Sequence, residues 1–294
     1  MNTKGMITSD FQGLKLFNRG KVRDVYEVDN YLLIVATDRI SAFDVIMPNP
    51  IPGKGEILTR MSVFWFNQMK DIIENHLVST DPFDFPKDCG PYQGDLAGRS
   101  MLVKKAKPLP VECVVRGYLS GSGWKDYLQS KTISGIKLPD GLKESTKLTD
   151  PLFTPSTKAP EGKHDAPITR KEMENSIGVE LTGKIIQTSI AIYNRASKIA
   201  EEAGIIIADT KMEFGLIEDR LILIDELLTP DSSRFWPKED YKEGRPQKSF
   251  DKQFLRDYLI SIQWNQKPPA PELPEEIIKN TREKYEEALN RLVK

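Results

Sequence analysis

The apolar pattern of the chain changes period several times, and each change predicts an element. Lys21 to Val28 and Tyr31 to Thr37 are β-rich runs split by Asp29 and Asn30, a two-residue turn signal, so the chain opens on a hairpin and an antiparallel sheet. Between Glu56 and Asn75 the spacing becomes three and four. Ile57, Leu58, Met61, Phe64, Trp65, Met69, Ile72 and Ile73 predict one face of an amphipathic helix, with the aromatics in the core. Ser100–Ala106 and Val111–Tyr118 read as strands, separated by Pro108 and Pro110, which cannot sit inside a central ladder. A lobe boundary is placed there, with residues 1–112 as a β-rich lobe and residues 113–294 as a larger α/β lobe.

Lys131 to Pro167 is rich in Pro, Gly, Lys, Ser and Thr without periodicity, which predicts long surface loops with short strands; a linker and a substrate loop both fit. Thr169 followed by Glu172 is a capping-box pattern, and Lys184 to Ala203 has helical spacing stopped by Gly204. Ile205–Ala208 reads as a short buried strand, and Lys211–Asp225 as a hairpin turning near Glu218 to Arg220. The tail from Glu272 to Lys294 reads as an amphipathic helix.

Composition narrows the function classes. The 294 residues are 39% hydrophobic, enough for a sizeable core, and 42 Lys and Arg against 43 Asp and Glu leave a net charge of -1. There is no global attraction to nucleic acid or an anionic membrane, so an anionic ligand must be held by local clusters. Cys89 and Cys113 lack the number for a disulfide framework and the spacing of a zinc site. The start, MNTKGMITSDF, has no apolar run of the signal-peptide kind, and no stretch approaches the ~20 apolar residues of a membrane span, so a soluble cytoplasmic protein is expected.

Candidate chemistry comes in islands. None of the four Gly-Lys dipeptides precedes Ser or Thr, so the P-loop is missing. Arg19-Gly20-Lys21-Val22-Arg23 places a glycine among three cations; Lys21 and Arg23, two apart on a strand, share a face, and the glycine admits a phosphate to the backbone. In Asp209-Thr210-Lys211-Met212-Glu213-Phe214 the charged residues share one strand face and the apolar ones the other. Asp225-Glu226 follows the apolar run Leu221–Ile224. A three-residue hairpin loop puts Glu213 opposite Asp225, where two hard carboxylates suit magnesium, whereas an even-numbered loop puts them on opposite faces. The residues leave that register open.

Arginine and serine concentrate at Arg116 to Gly123 and at Asp231 to Arg234, as in anion-recognition loops, although a plain Gly/Ser turn with a surface arginine fits each alone. Pro52-Gly53-Lys54-Gly55-Glu56 leads into the long helix and offers amides and Lys54 to an anion. His76 and His164 are the only histidines, and no nucleophilic Ser or Cys motif accompanies them, which disfavours a hydrolase triad.

Seven segments together carry a resemblance: GKVRDVY at Gly20, DRISAFD at Asp38, IPGKGEILTRMS at Ile51, VECVVRGYLSGSGWK at Val111, FTPSTKAPEGKHD at Phe153, DTKMEFG at Asp209 and IDELLTPDSSRFW at Ile224. In order and spacing they resemble the SAICAR synthetase family over nearly the whole chain. The resemblance implies an α+β, two-lobed fold whose N-terminal antiparallel β-rich ATP lobe is similar to kinase-type nucleotide lobes. It implies that ATP, L-aspartate and the carboxylated aminoimidazole ribonucleotide CAIR give SAICAR, ADP and phosphate through an acyl phosphate, with Mg2+ as cofactor of the ATP.

In that family the glycine-rich segment covers ATP, which makes Gly20, Lys21 and Arg23 phosphate candidates, with adenine near Lys104 to Glu112. Lys211, Glu213 and Asp225 are implied at the phosphates, Glu213 and Asp225 as metal ligands; Lys211, Asp225 and Arg234 are the catalytic candidates. Arg116, Ser122, Asp231 and Arg234 match CAIR positions, Lys158, His164 and Asp165 match the substrate loop, and Ser41, Asp44 and Lys54 fall near the aspartate and CAIR carboxylates. The stretch Lys131 to Asp165 resembles the longer, yeast-type branch; oligomeric state does not carry over, and a monomer stays open. The expected partners are small molecules, with no nucleic acid and no membrane. Two rivals remain: a small-molecule kinase needing no aspartate, and a nucleotide-binding regulator without turnover, against which the intact Lys211, Glu213, Asp225 and Arg234 argue.

Overall fold

The computed structural model describes residues 5–158, 165–250 and 252–293. Its first sheet holds β1 (Lys15–Arg19), β2 (Arg23–Val28), β3 (Tyr31–Ala36), β4 (Leu77–Ser79) and β5 (Ser100–Lys104), in the order β1-β2-β3-β5-β4. Asp29 and Asn30 form the expected turn, with Val28 opposite Tyr31. Along β2 the side chains alternate, and Tyr26 and Val28 enter an apolar cluster with Phe11, Phe85 and Leu102.

The other face of this sheet is covered by α1 (Lys54–Met69). Met61, Trp65 and Phe66 are at most 1% exposed, and each contributes about 1.5–3 kcal/mol by leaving water. A side chain at Gly55 would run into the Ala36 carbonyl, so glycine is what lets the helix start lie on β3. The helix stops at Met69, short of the predicted Asn75, because Glu74 to His76 are drawn away to bridge Leu223 in the second sheet.

That second sheet contains β6 (Val111–Tyr118), β7 (Lys147–Phe153), β8 (Ile205–Ile217), β9 (Arg220–Ile224) and β10 (Ser233–Pro237). Its order is β7-β6-β8-β9, with β10 along the first half of β8. Lys107–Pro108 adds a short edge beside Gly215 and Leu216, a place proline tolerates. The predicted short strand Ile205–Ala208 and hairpin arm from Lys211 are one continuous strand. Asp209 and Thr210 stay in the ladder because β6 pairs with one side of them and β10 with the other.

Among the described residues five further helices of eight residues or more follow: α2 (Gly121–Ser130), α3 (Arg170–Ile177), α4 (Val179–Glu202), α5 (Gln253–Ser261) and α6 (Glu275–Leu292). Thr169 and Glu172 form the full capping box of α3. The buried side of α4 carries Ile185, Ile192, Ala196 and Ala200, and the Tyr193 hydroxyl donates to the Ile207 carbonyl at 2.6 Å. No sequence signal was assigned to α5, which buries Leu255 and Leu259. One apolar core runs from α1 and Met101 through Val115, Met212 and Leu223 to Tyr285, joining both sheets.

Candidate functional site

A cleft of about 390 Å³ opens where the β1–β2 turn faces the second sheet, bordered by Lys21, Arg23, Asp44, Glu112, Lys211 and Asp231. Gly20 and Lys21 lie in that turn and not on a strand. The Gly20 amide donates to the Arg23 carbonyl at 2.8 Å, so it closes the turn. Lys21 reaches Asp44, while Arg23 turns into the cleft: its Nη1 lies 2.6 Å from Asp225 Oδ1 and its Nη2 3.3 Å from Glu226 Oε1.

Alternation along β8 aims Lys211 and Glu213 the same way, and their charged atoms are 2.6 Å apart. Lys211 also reaches Glu112 at 3.0 Å, and Lys158 binds the second oxygen of Glu213. Burial alone would lower the Lys211 pKa, but Glu213, Asp225 and Glu112 outweigh it and hold the ammonium above the ordinary lysine range. For Glu213, burial is outweighed by Lys211 and Lys158, and its carboxyl stays below the usual carboxylate range. Asp225 goes the other way: burial, with Glu213 and Glu226 nearby, raises it in spite of Arg23 and Lys211.

The hairpin loop has two residues, Glu218 and Asp219, and Glu213 therefore stands opposite Ile224. An even loop was expected to send Asp225 to the opposite face. That consequence fails because the strand ends at Ile224 and Asp225 takes a left-handed backbone, φ 67°, which swings its carboxylate back to within 4.0 Å of Lys211.

Beside the cleft two arginines share one carboxylate. Arg116 Nη1 lies 2.8 Å from Asp209 Oδ2, and Arg234 binds the same oxygen. Arg116 is further fixed by Thr154 and Ser122, each at 3.0 Å. Two guanidiniums on one anion leave a net positive basin. Gly121, at φ 57°, opens α2 against the Arg234 guanidinium, where any side chain would overlap it.

Asp231 sits between these groups. It is bound by Lys54 Nζ at 2.6 Å and the Tyr285 hydroxyl at 2.6 Å, with Lys252 Nζ at 3.5 Å. Burial opposes its ionisation, but Lys252 and Lys54 outweigh that and hold it well below the usual carboxylate range. A side pocket of about 150 Å³ joins Asp231 to Asp209, Arg234, Lys252 and Arg256.

The structure sorts the sequence candidates by position. Gly20, Lys21, Arg23, Ser41, Asp44, Glu112, Asp165, Lys211 and Asp231 border the cleft, and Arg234 borders the side pocket. Lys54 was expected near a substrate carboxylate, yet it is fully buried and ends on Asp231; the start of α1 likewise receives the protein's own Asp38, bonded to the Gly55 amide at 2.9 Å. Lys104 points away to Glu74 at 2.8 Å. His164 lies outside the described residues. Asp209, Glu226, Lys252, Arg256 and Tyr285 were not assigned to the site. For Lys252 and Arg256 a signal existed, since cations four apart fall on one face of a helix. A cavity of about 430 Å³ between α5, α6 and residues 237–249 lies apart from this chemistry, and its Arg291 is bound to Glu239 and Glu287.

Two antiparallel sheets around a cleft with cation clusters in it and beside it define a two-lobed α+β enzyme for polyanionic substrates. Residues 16–271 match the SAICAR synthetase family, and the chain belongs to it. It is 62% identical over 285 residues, 97% of each chain, to the phosphoribosylaminoimidazole-succinocarboxamide synthase of Desulfosudis oleivorans. The SAICAR synthase of Saccharomyces cerevisiae, solved with SAICAR, is 45% identical and superposes with a TM-score of 0.90 over 98% of this chain and 97% of that one. A SAICAR synthetase solved with ADP, 23% identical, shares the fold at a TM-score of 0.68 over 94% of this chain and 97% of that one.

Proposed function

We propose a division of labour along the cleft for the ligase reaction of this family, in which L-aspartate is joined to the carboxylate of CAIR at the expense of ATP, giving SAICAR, ADP and phosphate. The observation that carries it is the pair of cation clusters on either side of Asp231, one for each phosphorylated substrate. Lys21, Arg23 and Lys211 hold the polyphosphate under the Gly20 turn, and adenine lies along residues 104–112, where Glu112 borders the cleft. Arg116, Ser122 and Arg234 take the ribonucleotide phosphate, helped by Lys252 and Arg256. Lys158 and Asp165 are assigned to the reacting carboxylate, with His164 as a third candidate, and Ser41 and Asp44 to the aspartate side.

A CAIR carboxylate oxygen attacks the γ-phosphorus, ADP leaves, and an acyl phosphate results. The aspartate amine then attacks the acyl carbon, the acyl C–O bond breaks so that phosphate departs with that electron pair, and the nitrogen loses a proton to leave the amide. Positioning and charge are the protein's main contributions.

The donor chemistry fits magnesium. Asp225 is a hard oxygen donor crowded by Glu213 and Glu226, a situation that a divalent cation relieves. Among the described residues no group of three or more His, Cys, Asp and Glu side chains is arranged to cage a metal. We assign the ion to one or two carboxylates plus substrate phosphates. Bound there, Mg2+ would neutralise and orient the transferred phosphoryl group.

The two lobes of this reading divide near residue 112, at the start of β6. Among the described residues no helix is long and apolar enough to cross a membrane. We place the enzyme in the cytoplasm, acting on small molecules. Incubation with ATP, Mg2+ and CAIR, with and without L-aspartate, tests the function. Aspartate-dependent phosphate release with a new amide is expected; a stable phosphorylated product without aspartate would establish a kinase instead.

A further inference from the structure

His76 is buried at 3% exposure and lies outside every role assigned above. It sits where the two sheets are stitched together. The Leu223 amide donates to the Glu74 carbonyl at 2.9 Å, the His76 amide to the Leu223 carbonyl at 3.0 Å, and the Lys104 amide to the His76 carbonyl at 2.8 Å. The backbone of His76 is therefore fixed from both sheets. Its ring packs edge-on against Phe66, with centroids 5.7 Å apart.

So held, the ring points at one acceptor. Nε2 lies 3.1 Å from the backbone carbonyl oxygen of Asp225. A carbonyl only accepts, so Nε2 carries the hydrogen. Asp225 is the first residue beyond β9, where the ladder no longer holds the chain, and it adopts φ 67°, a region that non-glycine residues reach at a cost. The same kink turns its carboxylate toward Arg23 and Lys211.

We propose that His76 is a positioning residue which, by donating from Nε2 to the Asp225 carbonyl, holds the left-handed kink that aims the Asp225 carboxylate into the nucleotide end of the cleft. The inference rests on the assignment of Asp225 to magnesium and phosphate. His76 touches neither; it acts through the backbone of the residue that does.

Three variants of the full-length chain test it. Leucine at position 76 keeps most of the volume and removes the donor, glutamine restores a donor near the Nε2 position, and asparagine is polar but too short to reach. Calorimetric binding of Mg2+ with ATP and the Mg2+ concentration for half-maximal turnover are measured alongside the KM for CAIR. His76→Leu and His76→Asn should weaken Mg2+·ATP binding and raise the Mg2+ requirement by about tenfold or more, the loss typical of removing a support behind a metal ligand. The KM for CAIR should stay nearly unchanged, and His76→Gln should return both metal readouts close to wild type. If leucine fails to fold, the asparagine and glutamine pair carries the comparison. Equal behaviour of Asn and Gln, or a loss shared equally by the KM for CAIR, overturns the proposal. Absence of Mg2+ dependence in the wild type overturns the Asp225 assignment itself.

Discussion

Glu213 pairs across its hairpin with Ile224, one residue short of Asp225, and yet Asp225 and Glu213 both reach Lys211. Strand alternation alone would have separated the two carboxylates. The two-residue turn, with Glu218 at φ 48° and Asp219 at φ 63°, fixes the even register, and the left-handed Asp225 then undoes its consequence. The nucleotide end of the site thus depends on one backbone angle just past a strand end.

Asp225→Asn isolates the charge from that geometry. Asparagine tolerates the left-handed region and keeps the volume, so the fold should survive with a melting temperature within a few degrees of wild type. Removing the anion that faces Arg23 and Lys211 should lower turnover by about 100-fold or more, of the order seen when one electrostatic group is deleted from an active site. Phosphate release under saturating substrates reports it, and near-normal turnover would remove Asp225 from the metal and phosphate assignment.

Much of the fold could be read from pattern because it depends on local chemistry. The Asp29-Asn30 turn, the limits of β6, the Thr169–Glu172 capping box and the hairpin reversal at Glu218 each follow from residues adjacent in sequence. What stayed hidden was long-range. Lys54 looks like a loop cation at a helix start, and only the arrival of residue 231 beside it and of Tyr285 from α6 shows that it is a buried support. Asp209 reads as one charge in an alternating strand until Arg116 and Arg234 meet on it. The end of α1 was overrun because nothing in Ile72 and Ile73 announces that the next residues will bridge Leu223.

Gly121→Ala tests the ribonucleotide end. The new methyl would overlap the Arg234 guanidinium, and φ 57° is unfavourable for alanine, so Arg234 must move off Asp209. Loss of an oriented charged contact corresponds to about 1.5–3 kcal/mol, or roughly 10- to 100-fold in the KM for CAIR. The KM for ATP should change little. A parallel rise in both would mean that Arg234 serves the whole cleft.

The pH dependence of stability should show Asp24, which carries no assigned chemistry. Its carboxylate is fully buried and accepts from the Ser9 amide at 3.0 Å, the Ser9 hydroxyl at 2.6 Å and Arg39 at 2.7 Å. Burial alone would raise its pKa, but Arg39 and Ser9 outweigh it and hold it below the usual range. A lowered folded-state pKa contributes stability that is fully present above the unfolded value of about 4 and is lost as pH falls through the folded value. Asp24→Asn should therefore cost about 3 kcal/mol in urea unfolding at pH 7. That gap should hold down to about pH 5 and close at lower pH; a gap that widens on acidification would contradict the assignment.

Asp231 allows its supports to be ranked. Lys54 and Tyr285 both bind it, but the two bonds differ in what their loss leaves behind. Tyr285→Phe deletes a neutral donor and leaves an ion pair intact, which should cost about 1.5–3 kcal/mol. Lys54→Met removes a buried cation and leaves Asp231 with Lys252 at 3.5 Å and the tyrosine, which should cost about 3–5 kcal/mol. In Lys54→Met with Asp231→Asn the orphaned charge is gone, so the double variant should be more stable than the sum of its single losses. Urea unfolding of the four proteins closes that cycle. Both Lys54→Met and Tyr285→Phe should also raise the KM for CAIR, because the carboxylate they hold separates the two cation clusters. If the stability losses appear while every KM stays at its wild-type value, Asp231 is a packing element and has no place among the substrate contacts.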